Sequence, residues 1–267
     1  MADTLTRHAE AVWEAVVLLL PGFTVEVLPS IDSTSSELMR RARSGLMEPV
    51  LLTAEQQTAG RGRLGKGWHS KPGQSLTFSI ALPLAPSNWS GLSLAVGVSL
   101  AHSLHPDVRL KWPNDLWLHQ RKLGGILVET ASTGDAAQGQ RMVVIGVGIN
   151  IARPEASAVA ALVPDGSTVA AMAPAGLAEV SVGITPGEVL ERVAPPLVQD
   201  VLAFASQGFG AFAQRFAGLD ALQGLAVQLS DGTRGTACGV TPDGALQVLT
   251  DQGMLTVTSS EVSVRPC

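Results

Sequence analysis

Between Gln56 and Ser70 the chain reads QQTAGRGRLGKGWHS, and this stretch constrains what the rest can fold into. So much glycine predicts a loop without regular structure, in which the main chain comes close to a ligand and takes up positive φ. Arg61, Arg63 and Lys66 set cations along it, with Lys71 just beyond. The planar guanidinium fork suits carboxylate and phosphate oxygens. The chain as a whole is acidic, with a formal net charge of -5, so the basic cluster runs against the composition. A small anionic ligand is the economical reading, and a solvated basic loop is the plain alternative for the stretch taken alone.

Gly60 to Lys66 also spells G-x-x-x-x-G-K, one residue short of a phosphate-binding P-loop. That motif needs Ser or Thr next, at the opening of a helix. Here Gly67 follows, then Trp68, His69, Ser70, Lys71, Pro72 and Gly73, which cannot start one. The P-loop is rejected.

Further segments follow in order: Lys111-Trp112-Pro113-Asn114-Asp115, then Arg121-Lys122-Leu123-Gly124-Gly125-Ile126-Leu127-Val128-Glu129, then Gly146-Val147-Gly148-Ile149-Asn150. Together with the glycine and arginine loop, these resemble the biotin protein ligases, from about Ser33 to the C-terminus. The resemblance implies a fold of the α+β class, the class II synthetase-like catalytic fold of that family. It also implies a small C-terminal SH3-like β-barrel, biotin and ATP as substrates with Mg2+, and a biotin carboxyl carrier domain as acceptor.

The residues alone bound the same picture. A chain of 267 residues is long enough for one large domain, or for one with a small appendage. Strand candidates at 49–55, 74–82, 108–112 and 141–150 lie at hairpin-like spacing, which predicts a mixed, largely antiparallel sheet with helices packed on it. Helices are expected over 6–20, 90–104 and from Thr185-Pro186-Gly187-Glu188 onward, the last with a bend or restart at Pro195-Pro196. Thr34 and Glu37 have the spacing of a capping box. Residues 151–184 give a weak signal, read as irregular with a short helix. From Gln223 short alternating runs are parted by Asp231-Gly232, Asp243-Gly244 and Gln252-Gly253, which predicts a small β-barrel. Boundaries of 1–220 for the catalytic domain and 221–267 for the β domain follow.

Cys238 and Cys267 make neither a disulfide framework nor a zinc site. The most apolar N-terminal run, Ala15 to Leu20, is far short of a membrane span, which needs roughly 20 residues. With no small-residue cleavage site after it, a cytoplasmic protein is expected. Only about 30 residues precede Ser33, too few for the family's DNA-binding winged helix, so a monofunctional ligase is expected, with no DNA and no membrane partner. A homodimer is compatible with the sequence.

What the resemblance implies about residues is specific. Ser33, Thr34 and Gln57 would hold the neutral ring of biotin, with Ser35 standing where the family pattern has Asn, and Gly62 would let the main chain close over it. Trp68 would pack on the ligand and exclude water. Arg61, Arg63 and Lys122 would gather carboxylate and triphosphate and stabilise charge growing at phosphorus. Asp115 would sit beside the adenylate to orient metal or receive a proton, while the metal ligands stay unassigned. Lys111, Asn114, Gly124, Gly125 and Asn150 complete the binding set. Leu64 and Lys66 stand where arginines are common. Three alternatives stay open: a lipoate-ligase-like acyltransferase, a biotin-binding protein without catalysis, and a nucleic-acid-binding module. The net charge speaks against the last.

Overall fold

The computed structural model describes residues 5–132, 140–155, 161–162, 168–169, 173–258 and 264–266. Cys267 and much of the weak 151–184 region lie outside them. Helix α1 (Leu5–Val16) buries Ala9, Val12 and Val16 at helical spacing. Strand β1 (Thr24–Ile31) follows, then α2 (Thr34–Arg43) and β2 (Val50–Gln57). The glycine-rich stretch carries two short strands, β3 (Gly60–Arg61) and β4 (Gly67–Trp68), before β5 (Ser75–Leu84). After α3 (Leu92–Leu104) come β6 (Val108–Lys111), β7 (Asp115–Leu118), β8 (Arg121–Ser132) and β9 (Arg141–Asn150). A two-residue pair, β10 (Ala161–Leu162) with β11 (Thr168–Val169), precedes α4 (Pro186–Gln207) and α5 (Ala213–Ala217). The chain ends in β12 (Ala226–Leu229), β13 (Arg234–Val240), β14 (Leu246–Thr250), β15 (Gly253–Val257) and β16 (Val264–Pro266).

The main sheet has seven strands in the order β1-β2-β5-β9-β8-β7-β6. Only β1 and β2 pair parallel; every other neighbour is antiparallel. The expected mixed, largely antiparallel α+β architecture is therefore present. Side chains alternate across a strand, so β9 sends Val143, Ile145, Val147 and Ile149 into the large core with α1, α3 and α4. Its other face gives Met142 and Val144 to a smaller core under α2. Two and four residues beyond Val144 on that face stand Gly146 and Gly148, and there the sheet surface falls away.

Three expectations need correction. The cap of α2 is Ser33, whose Oγ accepts from the Ser36 N–H at 3.3 Å, and not Thr34. Glu37 is drawn instead to Arg40 and Arg41 by charge. Helix α4 neither stops nor restarts at Pro195-Pro196 but runs for 22 residues through both prolines. Leu190, Val193, Ala194, Leu197 and Val198 are all buried there, and that packing outweighs the missing donors. The capping box at Thr185 and Glu188 forms as read. Finally, the C-terminal strands make an open five-stranded sheet, β15-β14-β13-β12-β16, with no closed barrel among the described residues. The turns at 231–232, 243–244 and 252–253 fall where the dipeptides put them. A bulge between Ala237 and Val240 bends β13 without bringing β15 and β16 into register.

Candidate functional site

A cavity opens on the α2 face of the sheet, over Gly146 and Gly148 of β9. Both glycines are required by close approach. A Cβ at Gly146 would lie 2.1 Å from Ser35 Oγ, and one at Gly148 would lie 2.5 Å from Trp68 Cε2. At the α2 end the wall is neutral and polar. Thr34 Oγ1 meets Ser79 Oγ at 2.7 Å, and Ser35 Oγ meets the same oxygen at 2.9 Å. Gln57 Oε1 accepts from the Thr34 backbone at 2.7 Å and from Thr34 Oγ1 at 3.1 Å. Burial of these hydroxyls is affordable because each is hydrogen-bonded.

The loop that covers the cavity is more ordered than its glycines predict. Gly60 pairs with Trp68 and Arg61 with Gly67, and the Gly62 N–H donates to Lys66 O at 2.7 Å. The chain turns back through Leu64, held at φ 54. Gln57 N–H donates to Ser70 Oγ at 2.6 Å, which closes the base of the loop. Trp68 lies against the bare backbone of Gly148, and its buried Nε1 has no hydrogen-bond partner among the described residues.

The opposite end is cationic. The β6–β7 hairpin turns through a cis Trp112–Pro113 peptide. Asn114 is fixed from both sides: its Nδ2 donates to Ile126 O at 2.8 Å and its Oδ1 accepts from Arg63 at 3.3 Å. Burial holds the Arg63 guanidinium below its ordinary pKa, while the Asp115 charge works the other way. Asp115 pairs with Lys122 at 2.7 Å and with Lys111 at 3.9 Å. Arg61 reaches Glu129 at 3.1 Å and Ser36 Oγ at 3.4 Å. Behind this turn, Trp112 Nε1 donates to Gly244 O of the C-terminal sheet at 3.0 Å, and Ser93 Oγ donates to Pro113 O.

Of the residues singled out in the sequence, Ser33, Thr34, Ser35, Gln57, Arg61, Gly62, Arg63, Trp68, Lys111, Asn114, Asp115, Lys122 and Gly125 line this cavity. Gly124 and Asn150 do not. A Cβ at Gly124 would strike Gly148 O at 2.5 Å, so that glycine serves strand packing, not a ligand's approach. Asn150 Nδ2 is turned away to Ala175 O. Sequence reading passed over Ser79, Phe78, Ile126 and Leu127, which look like ordinary strand residues, and over Gly146 and Gly148 as wall. Two glycines at alternate positions of an otherwise apolar strand were the available signal. Among the described residues no group of three His, Cys, Asp or Glu side chains converges on a metal position.

Residues 27–150 match the biotin/lipoate A/B protein ligase family, and residues 226–265 match the biotin protein ligase C terminal domain. The chain is 35% identical over 258 residues to the bifunctional ligase/repressor BirA of Escherichia coli, covering 92% of this chain and 75% of that one. It is 29% identical over 247 residues to the biotin--[acetyl-CoA-carboxylase] ligase of Paracoccus denitrificans, covering 88% and 98%. The fold superposes on the biotin protein ligase from Aquifex aeolicus in complex with biotin and ATP with a TM-score of 0.72, at 26% identity, over 91% and 99% of the two chains. The cavity, its covering loop and the hairpin behind it all fall within the matched segments, and the chain belongs to the biotin protein ligase family.

Proposed function

We propose that the protein activates biotin with ATP to biotinyl-5'-AMP and transfers the biotinyl group to a lysine of a biotin carboxyl carrier domain. The observation that carries this reading is one cavity with two unlike ends, a buried wall of hydroxyl and amide groups and a cluster of cations. A carboxylate is a poor acyl donor, so its oxygen must first attack the α-phosphorus of ATP and expel pyrophosphate. Arg61, Arg63 and Lys122 offset the repulsion between the two anions and the charge that grows during displacement. Lys111 and Asn114 complete that end of the set. In the second step a lysine amine attacks the acyl carbon and AMP leaves. Asp115, freed once the phosphate attracts Lys122, takes the amine proton in this reading. Trp68 and Gly62 of the covering loop keep water from the mixed anhydride.

Magnesium comes with the nucleotide in this reading, since it binds through one or two carboxylates plus substrate phosphates. The carboxylates at the cationic end are Asp115 and Glu129, and Glu129 Oε2 is buried with no partner among the described residues. The ion supplies charge neutralisation at the phosphates. The lipoate reading is weaker, because a dithiolane ring would leave the hydroxyl and amide wall unmatched.

The finer readings are ours as well. Division at 220/221 is supported by the change of texture there, although Val227, Leu229, Leu246 and Val248 share one core with the catalytic sheet. An SH3-like C-terminal unit fits five short antiparallel strands with a bulge. Ligase action without DNA binding fits the net charge of -5, and specific DNA binding that survives physiological salt would count against it. A cytoplasmic setting fits the free Cys238; no described helix is long and apolar enough to cross a membrane. Incubation with biotin, α-labelled ATP and a carrier domain tests the whole proposal: labelled biotinyl-AMP and a biotinylated carrier are expected, and absence of both overturns it.

A further inference from the structure

The neutral end of the cavity admits only one order of protons. The Thr34 backbone N–H meets Gln57 at 2.7 Å, and a main-chain amide can only donate. The atom facing it is therefore the carbonyl oxygen Oε1, which turns the amide nitrogen Nε2 the other way. Thr34 Oγ1 lies 3.1 Å from that same oxygen and must donate to it, which uses its single proton. Ser79 Oγ, 2.7 Å from Thr34 Oγ1, then has to donate to Thr34. Ser35 Oγ, 2.9 Å from Ser79, has to donate to Ser79. The chain runs Ser35 to Ser79 to Thr34 to Gln57, and no member can reverse alone.

We propose that Ser79, fully buried in β5, is a positioning residue that sets the polarity of the ring subsite. It holds Ser35 as a pure acceptor toward the ligand, while the Thr34 backbone N–H keeps Gln57 presented as a donor. Deepening the biotin reading, on which it rests, the assignment says what the ring must offer: an N–H against Ser35 Oγ and a carbonyl against Gln57 Nε2. A cyclic urea offers both. A cyclic carbamate, with one ring N–H replaced by oxygen, sets acceptor against acceptor at one of its two isomers. Sites that pair a buried polar group with a substrate N–H reject the analogue lacking it strongly. Ser35 is where this chain departs from the family pattern, and its polarity is decided by a neighbour outside the motif.

The test is the ratio of biotin to carbamate-biotin affinity, measured by calorimetry with both carbamate isomers. Wild-type protein should prefer biotin over one isomer by about a hundredfold or more, consistent with the loss of a buried hydrogen bond. In Ser79→Ala the Ser35 proton is released and can turn to the ligand. The ratio should fall by about tenfold, in part because the carbamate binds more tightly than it does to wild type. A merely structural role weakens both ligands together and leaves the ratio fixed. Ser35→Ala is the second variant, in case Ser79→Ala does not fold: the ratio should fall there through loss of biotin alone. An unchanged ratio in either folded variant overturns the inference. Formation of biotinyl-AMP by wild-type protein checks the underlying reading separately: its absence overturns that reading, whereas adenylate formation with an unchanged ratio overturns the inference alone.

Discussion

The two ends of the cavity solve opposite problems. At the neutral end Thr34, Ser35 and Ser79 are 2%, 6% and 0% exposed, and every hydroxyl is already bonded to another. At the cationic end the side chains of Arg61 and Lys122 are 48% and 46% exposed, and their carboxylate partners are Glu129 and Asp115. A buried neutral network has its desolvation met within the fold and so stands ready-made for a neutral ring. Charges cannot be stored that way, because desolvating an ion costs far more than desolvating a hydroxyl. Arg61 and Lys122 stay half in water, held by ion pairs with Glu129 and Asp115 that, on the proposed function, the substrate anions replace. On the proposed function, recognition is built into the fold, while the electrostatics of reaction are assembled only with substrate present.

The comparison breaks most visibly at Lys122. Lys122→Ala is expected to slow biotinyl-AMP formation by about 10²–10³, the usual loss for one group that stabilises transition-state charge. Biotin affinity should change little; rapid-quench kinetics beside calorimetry reads both. Next in size is Thr34→Val, which keeps shape but removes the central hydroxyl and leaves Ser79 and Gln57 short of a partner. A buried polar group so stranded costs about 1–3 kcal/mol, and calorimetry should show biotin binding weaker by about tenfold or more.

Trp112→Phe sharpens the comparison by asking what holds the cationic end in place. The ring remains but Gly244 O loses its donor, a cost of about 1–3 kcal/mol in stability, read from the urea midpoint. If the C-terminal sheet supports the Asn114 turn, adenylation should fall while biotin affinity holds. The smallest effect concerns Asp32, next to the neutral end. Its hydrogen bonds from Arg40 lower its pKa from 3.8 to about 2. A carboxylate depressed in the folded state contributes stability that is present above pH 3.8 and lost as pH falls through about 2. The pair is about half exposed, so the contribution is screened and below about 1 kcal/mol. Comparing wild type with Asp32→Asn in urea, the gap between them should shrink between pH 5 and pH 2; a constant gap would refute the linkage.

How much of this was legible in the chain follows from which physics is local. Strand β9 was read at its observed limits, because a run of Val and Ile closed by glycines is a local pattern. The strands on either side of the loop were read for the same reason, yet its β3–β4 pairing was missed, since two-residue strands leave no periodicity to find. Ser33 as cap was misplaced by one residue, well within what several adjacent hydroxyls allow. The prolines of α4 misled because propensity is local and the packing that overrides it is not. Ser79 was invisible: a serine among Leu76, Phe78 and Ile80 acquires meaning only when α2 brings Thr34 and Ser35 onto it. Gly124 and Asn150 were placed in the site by the family resemblance: alternation puts Gly124, paired with Ile149, on the other face of the sheet, whereas Asn150 shares the face of Gly146 and Gly148 and its amide is held by Ala175 O. The described residues leave the expected barrel unclosed, since turn dipeptides fix hairpins but not whether the edge strands meet.

The division of labour between the two ends is tested most directly by titrating biotin into the adenylation reaction with wild type, Thr34→Val and Lys122→Ala, at fixed saturating ATP. Thr34→Val should recover close to the wild-type rate once biotin is raised far enough, since only the ring end has been weakened. Lys122→Ala should reach its own plateau at nearly the wild-type biotin concentration and remain about 10²–10³ below it in rate. Recovery of both variants at high biotin, or of neither, would contradict the account.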